Sequence, residues 1–290
     1  MTLGIAIVCG ALGVAVGEEP GTGTTEEVGG GGTGIELGGA DPLRGDGVPD
    51  MVAFTFDDGP HELYTPRVLR ALAKHDIPAA FFVVGNSLAG DHHADRRALL
   101  VRMRDAGHLI GNHTFHHARL TKLSAAARDA ELARTAALVE ETTGTAPVLV
   151  RPPYGASSPS LRAALTAAGL TEVRWNIDVR DWTLEDPEVL RRAVLDRIVE
   201  QRGGIVILHD TKLPTVRALP GLLAGLEAHN CKRLARGREP IVPVSLHYFL
   251  RDAGVPRAIP ADVAARTQRY REALAARCEV APRATRRAAG

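Results

Sequence analysis

The sequence predicts an α/β fold, a distorted (β/α)7 barrel with an irregular C-terminal appendage. From residue 51 onward, seven short apolar runs alternate with helical patterns, which implies parallel strands joined by helices. Most of the runs are continuous rather than alternating, as strands buried on both faces are. Polar clusters stand at the C-terminal ends of five different runs, the pattern of many strands converging on one mouth, as in a TIM barrel. An open doubly wound sheet is the alternative, but no glycine-rich dinucleotide fingerprint follows any run.

The runs cover residues 51–56, 79–85, 108–112, 147–152, 172–178, 204–209 and 241–246. Among the helical stretches, "YTPRVLRALAKH" ends before Pro78 and "DHHADRRALLVRMRDAG" closes on Gly107. "SAAARDAELARTAALVEETTG" opens on Ser124 as a capping residue and closes on Gly144. "PSLRAALTAAG" and "PEVLRRAVLDRIVEQR" carry proline in the first turn, and in the latter Leu190, Val194 and Ile198 share a face at i+4 spacing. "TVRALPGLLAGLEAH" is the last, with Pro220 expected to kink it.

The chain divides into four parts. Residues 1–17, "MTLGIAIVCGALGVAVG", are apolar but too short for a membrane span. They suit a signal peptide or a weak anchor, although no Lys or Arg precedes the apolar stretch. Residues 18–50 turn to Gly, Thr and Glu without apolar periodicity and read as a flexible linker. Residues 51–250 hold the repeated strand-helix units, and residues 251–290 form a C-terminal extension with a helix in "DVAARTQRYREALAARC" and a basic tail. Export to the cell envelope or medium is the expected location. Any membrane contact would come through an uncleaved N-terminal segment.

With 290 residues, 45% hydrophobic and 24% charged, the chain is long enough to bury a core without staples. A net charge of +1 gives no general attraction to nucleic acid. The ends differ: residues 1–50 carry eight acidic groups and one basic, and residues 255–290 carry eight arginines and three acidic groups, read as a solvated tail. Of three cysteines, Cys9 lies in the apolar leader. Cys231 and Cys278 could bridge in an exported protein or remain two buried thiols.

The chemistry begins at Asp57 and Asp58, adjacent carboxylates ending an apolar run and followed by Gly59-Pro60. On bare protein they would repel and one would be driven toward protonation. An Asx turn closing the strand accounts for one of them and leaves the other without a reason. His113 and His117, spaced i and i+4, can share a face and grip one metal ion. A carboxylate from another strand end would complete a set of two His and one Asp that leaves positions open for water and substrate. Metal on one Asp relieves the repulsion and frees the other as a base.

Five motifs occur in order: "TFDDG" at 55–59, "HTFHH" at 113–117, "RPPYG" at 151–155, "DVRDW" at 178–182 and "VILHD" at 206–210. Together they resemble the polysaccharide deacetylases of the NodB homology type, carbohydrate esterase family 4, over roughly residues 51–228. The resemblance implies a general base in Asp57 and metal ligands in Asp58, His113 and His117. It implies an oxyanion donor in the backbone N–H of Tyr154 and a general acid in His209. Arg151 would orient Asp57, Asp181 would tune His209, and Trp182 and Leu208 would wall an acetyl pocket. The implied cofactor is a divalent ion, zinc or alternatively cobalt. The implied reaction is deacetylation of N-acetylated sugars in peptidoglycan, chitin or chitooligosaccharides. Alternatives are O-deacetylation of acetylated xylan, hydrolysis of a non-sugar amide, and non-catalytic glycan binding.

Two departures from the family pattern stand out. Val206 replaces the more usual Ile, and "CKRLARGREPIVPVSLHYFLRD" is longer than the usual return to the last strand. The appendage could cover the barrel base or shape the substrate groove.

Overall fold

A computed structural model describes residues 37–90 and 93–278. Strand β1 (Met51–Asp57) is followed by α1 (Thr65–Ala73), β2 (Ala79–Val83), α2 (Ala94–Asp105), β3 (Leu109–Asn112), α3 (Ala125–Thr143), β4 (Leu149–Val150), α4 (Pro159–Ala167) and β5 (Thr171–Glu172). Then come α5 (Pro187–Gln201), β6 (Gly203–His209), α6 (Leu213–Ala235), β7 (Val242–Pro243), the hairpin β8 (Arg251–Asp252) and β9 (Val255–Pro256), and α7 (Ala261–Arg277). The main sheet is parallel in the order β5-β4-β3-β2-β1-β6.

The sheet curls into a distorted barrel. Its outer edges approach through the segment after β5: Ile177 bridges Val206, and Ile207 N donates to Ile177 O at 3.0 Å. The apolar run at 172–178 is therefore strand only at its start. Asn176 is the reason, because its side-chain oxygen accepts from Ile205 N at 2.8 Å and so replaces a backbone partner. At the foot, β7 pairs with Met51 and Val52, on the edge of β1 that β2 takes up from Phe54 onward.

β1 and β6 are buried nearly end to end, which accounts for their unbroken apolar sequences. The helices pack on the outside by the stripes the sequence shows: Leu190, Val194 and Ile198 of α5 are all buried. Ser124 caps α3 through Ala127 N at 3.3 Å, and Gly144 closes it in the left-handed conformation, φ 76°. α6 runs as one helix through Pro220.

One expectation is refined. The composition extends the linker to residue 50, but Leu37, Ala40 and Leu43 are buried in the core. Leu43 N donates to Glu172 O and Leu43 O accepts from Arg174 N, so this segment covers the free edge of β5. Three apolar residues among glycines carry no periodicity, and a neighbouring edge strand supplies the order that composition conceals. The expected leader and residues 18–36 lie outside the described residues, as does the basic tail beyond Cys278. No helix among the described residues is long and apolar enough to cross a membrane.

The appendage covers the base. α7 buries Thr267, Tyr270 and Leu274, and Arg266 donates to the carbonyls of Asp76, Ala106 and Gly107, which precede β2 and β3. Asn230 holds the return to β7 by bonding both N–H and C=O of Ile241, at 2.8 and 2.7 Å. Cys231 and Cys278 are joined in a disulfide, Cα atoms 5.1 Å apart, fastening α7 to α6.

Closing a loop of 47 residues predicts up to about 4 kcal/mol of stabilisation by restricting the unfolded chain. Cys278→Ser is expected to lower the urea midpoint while leaving the mouth of the barrel unaltered. Equal midpoints for oxidised and reduced protein would remove the structural role of this bridge.

Candidate active site

The C-terminal ends of β1, β3, β4 and β6, with the segment after β5, bring together the residues singled out in the sequence. β1 ends at Asp57, which sits beside His209 of β6 in the strand register. The turn beyond it places Asp58 at φ 72°, followed by a cis Gly59-Pro60 peptide. A side chain at position 59 would collide with the Asp210 carboxylate, so only glycine fits there. Adjacent side chains on a strand point to opposite faces, and here Asp57 turns inward while Asp58 faces the mouth. Asp57 is 2% exposed and the Asp58 side chain 31%.

Arg151, fully buried, answers the charge of Asp57. Its Nη1 donates to Asp57 Oδ1 at 2.6 Å and to Thr55 Oγ1 at 2.8 Å. Its Nε and Nη2 donate to the carbonyls of Val173 and Arg174, both at 3.3 Å. The guanidinium lies 4.0 Å from the centroid of the Phe82 ring. Burial pushes the Asp57 carboxyl above the usual carboxylate range, against the opposing pull of Arg151 and His209.

Asp58, His113 and His117 form a three-donor cluster. His113 Nε2 is 3.6 Å and His117 Nε2 3.4 Å from Asp58 Oδ1, an oxygen that is buried without a hydrogen-bond partner. A tetrahedral ion with bonds of about 2.0–2.1 Å separates its ligands by about 3.4 Å. His113 Nδ1 donates to Arg151 O at 2.6 Å, which leaves the Nε2 lone pair directed at the cluster. Burial pushes the His113 imidazole down to about 3, so it stays neutral, as a ligand must. The residues present fit a divalent ion.

His209 stands on the other side. Its Nδ1 donates to Asp181 Oδ1 at 2.6 Å, and its Nε2 is 3.9 Å from Asp58 Oδ2. Burial lowers the imidazole pKa, but the bond to Asp181 and that carboxylate's charge outweigh it, and the net shift is upward. Asp181 is 1% exposed, and its other oxygen accepts from His209 N at 2.8 Å and Thr215 Oγ1 at 2.6 Å.

Tyr154 and Trp182 rim the mouth at 60% and 46% exposure. Tyr154 has φ 62°, and its hydroxyl lies 3.2 Å from His117 Nδ1. The Trp182 ring meets His209 edge-on at 5.1 Å. Leu208 is buried in the core beneath them. A cleft of about 410 Å³, lined by Asp58, Val84, Asn86, Ser87, His93, Arg96 and His117, opens beside the cluster. A larger cavity of about 580 Å³ lies at the foot, between His108, Pro147, His247 and Arg266, remote from this chemistry.

The sequence assigns no role to several contributors, although Asp210 closes the fifth motif. Asp210 is fully buried, accepts from the Thr65 hydroxyl, and is pushed up to about 7 by burial. Asn112 reaches Leu132 O at 2.8 Å and accepts from Thr114 N at 2.9 Å, bracing the two-histidine loop. Glu131 and Thr215 act on partners 15 or more residues away in the chain.

The polysaccharide deacetylase family model matches residues 44–173. The peptidoglycan-N-acetylglucosamine deacetylase of Listeria monocytogenes is 33% identical over 177 residues, which make up 61% of this chain and only 36% of that longer protein. The chitooligosaccharide deacetylase of Sinorhizobium fredii is 35% identical over 170 residues, 58% of this chain and 75% of that one. The solved chitin deacetylase of the fungal pathogen Colletotrichum lindemuthianum is 30% identical with a TM-score of 0.58, covering 66% of this chain and 87% of its own. A curled parallel barrel, a three-donor cluster at its mouth and relatives matched over most of their length agree: the chain belongs to the polysaccharide deacetylase family.

Proposed function

We propose that this protein is a metal-dependent deacetylase that hydrolyses the acetamide of N-acetylated sugars in a glycan of the peptidoglycan, chitin or chitooligosaccharide type. One observation carries the reading. Two hydrogen-bonded charge pairs, Asp57 with Arg151 and His209 with Asp181, flank a cluster of three donor atoms that lie within 4.8 Å of one another. Amide hydrolysis near neutral pH needs a base, an acid and an activator of the carbonyl, and the site holds a candidate for each.

Asp58, His113 and His117 would hold the ion, and zinc suits two imidazoles and a carboxylate at this spacing, with cobalt as a substitute. Once bound, the ion supplies Lewis acidity toward the acetyl carbonyl and the attacking water. Asp57 takes the proton from that water, and Arg151 holds its carboxylate in place and favours the charged form. The N–H of Tyr154, on a turn held in the left-handed conformation, is the donor proposed for the developing oxyanion. His209 passes the proton from Nε2 to the leaving nitrogen, with Asp181 fixing the Nδ1–H tautomer. Water and amide thus become acetate and amine. Trp182 and Leu208 wall the acetyl pocket, and the exposed rings of Tyr154 and Trp182 offer faces on which sugars stack.

The names of the relatives support the substrate class, since they act on peptidoglycan N-acetylglucosamine, chitooligosaccharide and chitin. The Cys231–Cys278 disulfide supports an oxidising compartment, hence secretion or the cell envelope.

The defining test is acetate release from the full chain, with zinc or cobalt and with chelator, on chitooligosaccharides, peptidoglycan and acetylated xylan. Metal-dependent release from the N-acetylated glycans is expected. Release from xylan alone would replace the amide reading with an ester one, and no release from any, with metal bound, would sink both.

Asp57→Asn is expected to retain zinc and lose about 10³-fold in turnover, whereas His113→Ala loses zinc and turnover together. Near-parental rates for Asp57→Asn would take the base role away from this residue. Because Asp181 raises the His209 pKa, the acid form persists to higher pH and is lost as pH rises through that raised value. Asp181→Asn removes the support, so the alkaline limb of kcat/KM should move to lower pH. An unmoved limb would mean that His209 is not the group titrating there.

A further inference from the structure

The loop between the two histidine ligands is held in an uncommon conformation. Thr114 has φ 66° and His117 φ 56°; both lie in the left-handed region, which is uncommon for any residue but glycine and which β-branched residues such as Thr114 avoid most. Such positions persist only where their surroundings over-determine them. Two residues, Phe115 and His116, lie between them. The carbonyls of Thr114 and Phe115 are tied to the turn after β2: Gly85 N donates to Thr114 O at 3.0 Å and Asn86 N to Phe115 O at 2.8 Å.

The N–H groups of Phe115 and His116 are tied to one carboxylate. Glu131 Oε2, from the second turn of α3, accepts from Phe115 N at 3.0 Å and from His116 N at 2.8 Å. Its Oε1 takes the His116 ring at 2.7 Å. The Glu131 side chain is 12% exposed, while the His116 ring it meets is 54% exposed. The buried end of this interaction is therefore the backbone clamp, and the imidazole is a cover over it. Phe115 is itself 5% exposed, with the Arg134 guanidinium of α3 3.5 Å from its ring centroid, so α3 grips both the backbone and the side chain of this stretch.

Resting on the proposed metal reading of Asp58, His113 and His117, we propose that Glu131 is a positioning residue for the metal centre. By clamping two consecutive backbone N–H groups it keeps the strained loop in the one conformation that aims both imidazoles at Asp58. Without it, the loop can relax at Thr114 and His117, and the ligands lose their spacing before an ion arrives. Glu131 does not touch the ion or the substrate; it acts through the backbone between the ligands.

The test measures zinc affinity of the full chain by chelator competition and ligand geometry by cobalt visible absorption. Glu131→Ala is expected to bind zinc roughly 10- to 100-fold more weakly, with an altered cobalt spectrum. Glu131→Gln keeps a carbonyl oxygen for both N–H groups and should restore near-parental affinity. His116→Ala leaves the backbone clamp intact and should bind as the parent does. Val139→Ala opens a cavity in the same helix next to the foot of the barrel; it should lower Tm without weakening zinc. Parental affinity in Glu131→Ala overturns the proposal, as does an equal loss in Val139→Ala, which would make the effect one of general stability. A parent chain that binds no zinc at all would instead overturn the metal reading itself, and the proposal with it.

Discussion

The ion pair between Arg151 and Asp57 is the constraint around which the mouth of the barrel is arranged. A guanidinium with no exposed surface must find acceptors for its donors, and it finds them on β1 and on the segment that follows β5. Removing either partner would leave an uncompensated buried charge, a loss of about 3–5 kcal/mol in comparable pairs. Arg151 also fixes the neighbouring imidazole, since its own carbonyl accepts from His113 Nδ1. One residue thus couples the inward carboxylate to the orientation of an imidazole that faces the donor cluster.

Charge neutralisation explains the asymmetry of the two aspartates. Asp57 is paired inside the protein, and Asp58 is left with a buried oxygen that no protein donor reaches. That orphan oxygen, together with two imidazole nitrogens, is the arrangement a cation completes. The site also holds backbone strain. Asp58, Thr114, His117, Tyr154 and Arg180 all have positive φ, and all lie on loops at the C-terminal ends of strands. At about 1–3 kcal/mol each, such positions need rigid support. β1, β6 and the capped helices provide it from within, and α7 with its disulfide braces the opposite end.

The division of labour follows the barrel's two ends. Loops at the mouth carry the reactive groups and two exposed aromatic rings. The base is closed by β7, by Asn230 bonding Ile241, and by Arg266 reaching three carbonyls from α7. The long return after His229 therefore adds stability at the foot rather than surface at the groove.

The sequence alone determined the strand-helix alternation, the positions of the caps and the residues gathered at the mouth. These are local properties: apolar runs, capping residues and short motifs whose side chains sit within a few positions of one another. The pairing of Arg151 with Asp57 and of His209 with Asp181 is what the family resemblance implies, and both pairs are hydrogen-bonded in the structure. Only the tertiary structure decided the rest. It decided that Leu37, Ala40 and Leu43 belong to the core, because an edge strand orders a glycine-rich stretch that has no periodicity of its own. It decided that the cysteines pair and that α7 lies under the barrel, because both depend on where two helices far apart in sequence come to rest. It also decided the supporting roles of Glu131, Asp210 and Thr215, whose partners lie 15, 145 and 34 residues away, since a hydrogen bond across such a separation leaves no spacing to read.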